Sequence, residues 1–232
     1  MPRASALYGW LKRESYLPAF VDLQQEPPRA EYGGGIALDL ALPAHESLSA
    51  PAESLESSWI EVHEYVNKAL TLIDAEAPGW IDSDEVRMIK EELGEPPALC
   101  YPLYFVSVGD ARQERLVYVG KSSAKGGRFR QGHAALTKLL HPKYDGLAKR
   151  VYFGSVVLQS SRGEYLPLEW VMPLDFSKQL LSSIEAQLIY WFKPELNSHH
   201  VANDNAKCKC TPLHIQNFSG VSRFLDDEFV YE

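Results

Sequence analysis

Two short runs rich in β-branched and aromatic residues, Tyr101–Val108 and Arg115–Val119, flank a turn-forming stretch that contains Gly109, Asp110, Gln113 and Glu114. This is a β-hairpin signature, and it constrains the fold more than any other stretch. Gly120 closes the second run, and a small-residue loop from Lys121 to Gly127 follows. Arg128–Leu140 then reads as a helix, with Phe129, Leu136 and Leu140 apolar and Pro142 as its stop. Val151–Leu158 and Leu166–Met172 are further strand candidates, and Gln179–Phe192 is an apolar helix carrying Leu181, Ile184, Leu188 and Trp191 along one side. The order β-β-α-β-(β)-α predicts an α+β (mixed α/β) fold, with a small, largely antiparallel central sheet flanked by helices.

Upstream the pattern is weaker, which predicts a mostly helical or irregular extension over residues 1–98. Pro27-Pro28, Gly33-Gly34-Gly35 and Pro43–Ser58 read as loops, with Ile36–Leu42 a strand candidate. Ser58-x-x-Glu61 has capping-box spacing and precedes the stripe Trp59, Val62, Val66, Ala69 and Ile73. A second helix is expected over Ser83–Leu93, capped by Asp82 or Ser83 and ended by Gly94. The expected division is therefore residues 1–98, a core at 99–198 and a tail at 199–232.

A net charge of −8 speaks against a nucleic-acid partner until its distribution is read. Residues 1–111 carry 7 Lys+Arg and 19 Asp+Glu, residues 112–150 carry 10 and 2, and residues 151–232 carry 6 and 10. A basic island of net +8 thus interrupts an acidic chain, and local charge decides where a polyanion docks. Apolar runs are far too short to cross a bilayer, no secretory signal is visible, and three cysteines make no disulfide framework. These features predict a cytoplasmic protein with no membrane partner.

Glu185 is chemically odd. It lies four residues after Leu181 and three before Leu188, bordering the stripe that should be buried. A carboxylate out of water is costly unless it is paired or binds a metal. The plain alternative is Ser182-x-x-Glu185 as a capping box for a helix starting at Ser183.

Taken together, Tyr104, Tyr118-Val119-Gly120, Lys121, Arg128, His133, Glu185 and Pro194-Glu195-Leu196-Asn197 resemble the GIY-YIG nuclease superfamily over about residues 99–198. The first motif is Pro102-Leu103-Tyr104, which keeps the tyrosine and lacks the glycine. The resemblance implies a Mg²⁺-dependent DNA endonuclease, possessing one metal-binding glutamate, Glu185, with Mn²⁺ as a substitute ion. It implies catalytic roles for Tyr104, Tyr118, Lys121, Arg128, His133 and Glu185, with Asn197 supporting the site. A lone carboxylate suits Mg²⁺, which keeps most of its waters. Arg128 would pair with the phosphate oxygens. Five residues turn a helix by about 500°, so Arg128 and His133 would point apart, whereas Arg130 and His133 share a face. Lys125, Arg130, Lys138 and Lys143 are the expected DNA contacts. A free tyrosine titrates near ~10 and imidazole nearer neutrality, so Tyr118 and His133 both remain candidate general bases. A restriction-type or stand-alone enzyme fits best. The alternatives are a structure-specific repair nuclease and an inactive nucleic-acid-binding module.

Residues 1–98 are candidates for a protein-partner or homodimer surface, or for an acidic cover over the basic island. His199-His200, Cys208-x-Cys210 and His214 invite a zinc reading, but Cys-x-Cys is not the usual knuckle spacing. Asp226-Asp227-Glu228 reads as a solvated acidic end.

Overall fold

The computed structural model describes residues 6–22, 33–50, 54–98, 100–110, 113–122, 133–159, 165–208 and 210–231. The strands are β1 (Val21–Asp22), β2 (Gly34–Pro43), β3 (Leu103–Val108), β4 (Arg115–Lys121), β5 (Lys149–Gln159), β6 (Tyr165–Pro167), β7 (Val171–Met172), β8 (Leu213–Asn217) and β9 (Glu228–Val230). The α-helices are α1 (Ala6–Leu11), α2 (Leu55–Leu72), α3 (Ser83–Leu93), α4 (Ala134–Lys138) and α5 (Leu174–Phe192). The fold is α+β, built among the described residues on a seven-stranded mixed sheet of order β4-β3-β5-β2-β8-β9, with β6 paired to β5. Every pairing in it is antiparallel except β2 with β8.

The hairpin is β3–β4, and β5 returns antiparallel on its other side. Strand alternation sorts the side chains into two layers. Leu103, Phe105, Val119 and Tyr152 pack with Leu180, Leu181, Ile184 and Leu188 of α5. Tyr104, Val106, Val117 and Phe153 pack on the opposite face with Leu139 and Tyr144. A third cluster joins α1, α2 and α3 around Trp10 and Trp170.

The strand expected over Ile36–Leu42 is present as β2, and it lies in the middle of the sheet, hydrogen-bonded to β5 on one side and β8 on the other. The tail supplies β8 and β9, and Asp226, Asp227 and Glu228 are exposed at its acidic end, as expected. Other expectations are corrected. One sheet therefore draws on residues before 98, between 99 and 198, and after 199. Helix α2 begins at Leu55 and not at Ser58; Ser54 caps it by accepting from Ser57 N–H at 3.2 Å. Ser58 instead donates to the buried Glu169 carboxylate at 3.0 Å. Helix α3 matches its expected bounds, with the Asp82–Glu85 capping box and Gly94 following. Leu166–Met172 is not one strand: β6 and β7 are separated by a 3₁₀ turn at Leu168–Trp170. Among the described residues no helix is long and apolar enough to cross a membrane.

Candidate active site

The site is built at one end of the β3–β4 ribbon. Tyr104 is the second residue of β3 and stands opposite Gly120, the second-last residue of β4. The Tyr104 ring is fully buried, and its hydroxyl is hydrogen-bonded to His133 Nε2 at 2.7 Å. Tyr118 completes the cluster, its ring centroid 6.0 Å from that of Tyr104 and 5.4 Å from that of His133. A side chain at Gly120 would close this space. A Cβ there would collide with the Tyr104 hydroxyl and lie 2.5 Å from Tyr104 Cζ and 2.7 Å from Tyr118 Cε1. The glycine of Tyr-Val-Gly is thus required by the tyrosine beside it.

His133 is the N-cap of α4, in extended conformation, with the helix starting at Ala134. The expected helix running through His133 to Leu140 is therefore corrected among the described residues: α4 covers Ala134–Lys138, and His133 precedes it. Lys125, Arg128 and Arg130 lie outside the described residues.

On the other face of the ribbon, the Lys121 ammonium donates to Ser182 Oγ at 2.7 Å and lies 3.3 Å from a Glu185 carboxylate oxygen. Both partners sit in the middle of α5, which begins at Leu174, so the capping-box alternative for Ser182 and Glu185 is excluded. The Glu185 side chain is mostly buried, with 16% exposure. Lys121 already places a cation against that carboxylate, so a divalent ion held by Glu185 would have to displace the ammonium group. Among the described residues no three His, Cys, Asp or Glu side chains gather into a metal cage. A lone carboxylate suits an ion that keeps most of its waters, as Mg²⁺ does. The tyrosine–histidine cluster and the Lys121–Glu185 pair lie on opposite faces of the ribbon, at the end that carries the Gly120–Lys121 peptide.

Asn197 reaches back to β4, the edge strand. Its Oδ1 accepts from Val119 N–H and its Nδ2 donates to Val119 C=O, both at 2.9 Å. Leu196 N–H donates to Val117 C=O at 2.9 Å, so the segment after α5 lies along the open edge of β4. Lys193, in the left-handed conformation at φ 46°, ends the helix and turns the chain into that path. Asn197 is therefore a positioning residue.

Glu195, which sequence reasoning left without a role, is the hub beside it. It accepts from Arg115 at 2.7 Å, Lys143 at 3.0 Å and the Tyr144 hydroxyl at 2.8 Å. Burial favours its neutral form, but the hydrogen bonds from Lys143, Arg115 and Tyr144 prevail and hold the carboxyl down at about 2. Lys143, an expected DNA contact, is thus tied to a carboxylate, while Lys138 is exposed and lies 3.5 Å from Leu196 O. Arg150 is also paired, 3.4 Å from Glu114. Among the described residues, Arg115, Lys143 and Arg150 of the basic island are thus each held by a carboxylate. The partners are too distant in sequence for any local signal to have revealed them.

In the tail, Gln179 Nε2 lies 3.0 Å from Cys208 Sγ, and burial pushes the Cys210 thiol up to about 12. His214 is 2.7 Å from Asp227, and His200 pairs with Asn205. Comparison of the chain with family models, curated proteins and solved structures finds no match.

Proposed function

We propose that the chain is a divalent-metal-dependent endonuclease of the GIY-YIG type that hydrolyses DNA phosphodiester bonds. The observation that carries this reading is the buried 2.7 Å hydrogen bond between Tyr104 and His133, set at the end of the ribbon that also bears Lys121 and Glu185. A phenol bonded to an imidazole is a proton relay: with the ring proton on Nδ1, Nε2 accepts from the Tyr104 hydroxyl, whose oxygen can then accept a proton from water.

The scissile phosphate would lie at the ribbon's end beyond Gly120. Water adds to phosphorus, the bond from phosphorus to the 3′ oxygen breaks, and the water's proton passes to the Tyr104–His133 pair. The 3′ oxygen takes up a proton and leaves as an alcohol. Tyr118 orients the water, and Lys121 pairs with a non-bridging oxygen. Asn197 fixes the β4 backbone between Tyr118 and Gly120. Glu185 would hold the metal, which supplies Lewis-acid polarisation of the phosphate and neutralises charge on the leaving oxygen.

A second reading, a retained fold that binds nucleic acid without cutting it, is favoured by one observation: Glu185 is already paired with Lys121. Incubation of plasmid DNA and Mg²⁺ with the wild-type protein and with Glu185→Ala separates the two. Wild-type nicking that is abolished in Glu185→Ala supports the enzyme. Cleavage by Glu185→Ala at the wild-type rate overturns it, and tight binding without cleavage selects the second reading.

A further inference from the structure

A cavity of about 270 Å³ adjoins the Lys121–Glu185 pair and is lined by Ser54, Leu55, Lys121, Ser122, Lys178 and Ser182, with Glu56 and Leu181 completing the wall. Three features of it select an anion. The first is the start of α2, an 18-residue helix capped by Ser54. Ser54 Oγ occupies the Ser57 N–H, and the N–H groups of the first helical residues have no partner within a helix, so this end presents donors and the positive pole of the dipole.

The second is Ser122. It is 2% exposed, yet its hydroxyl has no hydrogen-bond partner among the described residues. A buried hydroxyl without a partner costs free energy, and this one lines a cavity. The third is the pair of ammonium groups of Lys121 and Lys178, each held by a carboxylate, Glu185 and Glu56, that a phosphate oxygen would replace. Among the described residues the one acidic side chain of the lining is Glu56, bound by Lys178 at 3.1 Å. Lys178, Ser182 and Glu185 also follow one another at helical spacing along α5, and Ser182 accepts from Lys121. The cavity therefore lies about one turn of α5 from the carboxylate of the candidate site.

We infer that this cavity is a phosphate subsite that takes a backbone phosphate of the DNA strand next to the one being cut. The inference rests on the endonuclease reading. The Ser122 hydroxyl donates to one phosphate oxygen, Lys178 turns from Glu56 to pair with the phosphate, and the start of α2 supplies backbone donors. The N-terminal segment thereby contributes to substrate placement as well as to the sheet.

The test is the binding of a short fluorescent DNA duplex in EDTA, where cutting is suppressed. Ser122→Ala and Lys178→Gln should each weaken binding about tenfold, the scale of a lost hydrogen bond to a charged group. Lys178→Gln should also lower the slope of log affinity against log salt by about 1. Lys68→Gln, on an exposed part of α2, serves as the control and should bind as wild type. Lys178 is half exposed, so its variant keeps the test decisive if Ser122→Ala does not fold. Wild-type affinity and salt slope in Lys178→Gln overturn the subsite. Inorganic phosphate binding that needs Ser122, with DNA binding indifferent to it, assigns the cavity to a free ion and overturns the strand subsite. A wild-type protein that never cuts DNA, yet shows these losses, leaves the subsite standing and removes only the nuclease reading.

Discussion

The side-chain amide of Asn197 pairs with Val119 as a neighbouring strand would, giving and receiving one hydrogen bond each at 2.9 Å. Val119 lies between Tyr118 and Gly120, so this clamp sets the height of both. It also covers the outer edge of β4, which would otherwise offer unpaired backbone groups. Asn197→Leu should cost about 1–3 kcal/mol, the scale of leaving partly buried polar groups unmade. Faster amide exchange at Val119, measured by hydrogen exchange, should accompany the loss. Unchanged exchange there would show that the clamp does not hold the strand.

Gly120→Ala tests the close approach of Tyr104. The added Cβ meets the Tyr104 hydroxyl and ring and the Tyr118 ring edge. Overpacking of this kind costs about 1–3 kcal/mol, read as a lower midpoint in urea. The double variant Gly120→Ala/Tyr104→Phe removes the nearest clashing atom, so its loss should be smaller than the sum of the single losses. Strict additivity would place the strain elsewhere.

Tyr104→Phe and His133→Gln separate chemistry from packing. Each removes one end of the 2.7 Å hydrogen bond and little of the buried volume. Under the proposed mechanism, DNA cleavage falls by about 10²–10⁴-fold in each, the range of a lost general base. The double variant should fall no further than the worse single variant, because the two act as one relay. Equal activity in wild type and Tyr104→Phe would remove the phenol from the reaction.

Glu195 supplies a pH dependence of stability. Its folded value of about 2 lies below the ordinary 4.5, so the contribution is fully present above about 4.5 and is lost as pH falls through about 2. A third of the side chain is exposed, so screening reduces the effect to about 1 kcal/mol. Glu195→Gln should lose that amount at pH 7, measured by urea unfolding, and should match wild type near pH 2. A constant difference across that window would show that the carboxylate's charge is not the source.

The internal position of β2 changes how residues 1–98 can be studied. Their deletion would remove a strand paired on both sides, so altered DNA binding by the truncated chain would report damage to the sheet and not the loss of an acidic cover.

The sequence by itself determined what is local and periodic. The β3–β4 hairpin, the bounds of α3 and the apolar stripe of α5 follow from alternation, capping and turn chemistry within a few residues of one another. The order of Tyr104, Tyr118, Gly120, Lys121, His133, Glu185 and Asn197 was likewise legible before any fold was known. The structure alone decided the contacts made between distant segments. Examples are the pairing of β2 with β5 and β8, and the hold of Glu195 on Arg115, Lys143 and Tyr144. It also placed the tyrosine–histidine cluster and Glu185 on opposite faces of one ribbon. Periodicity shows that a residue faces inward. Which neighbour it meets there depends on strand order and register, set jointly by the burial of two sheet faces and the pairing of backbone groups far apart in the chain.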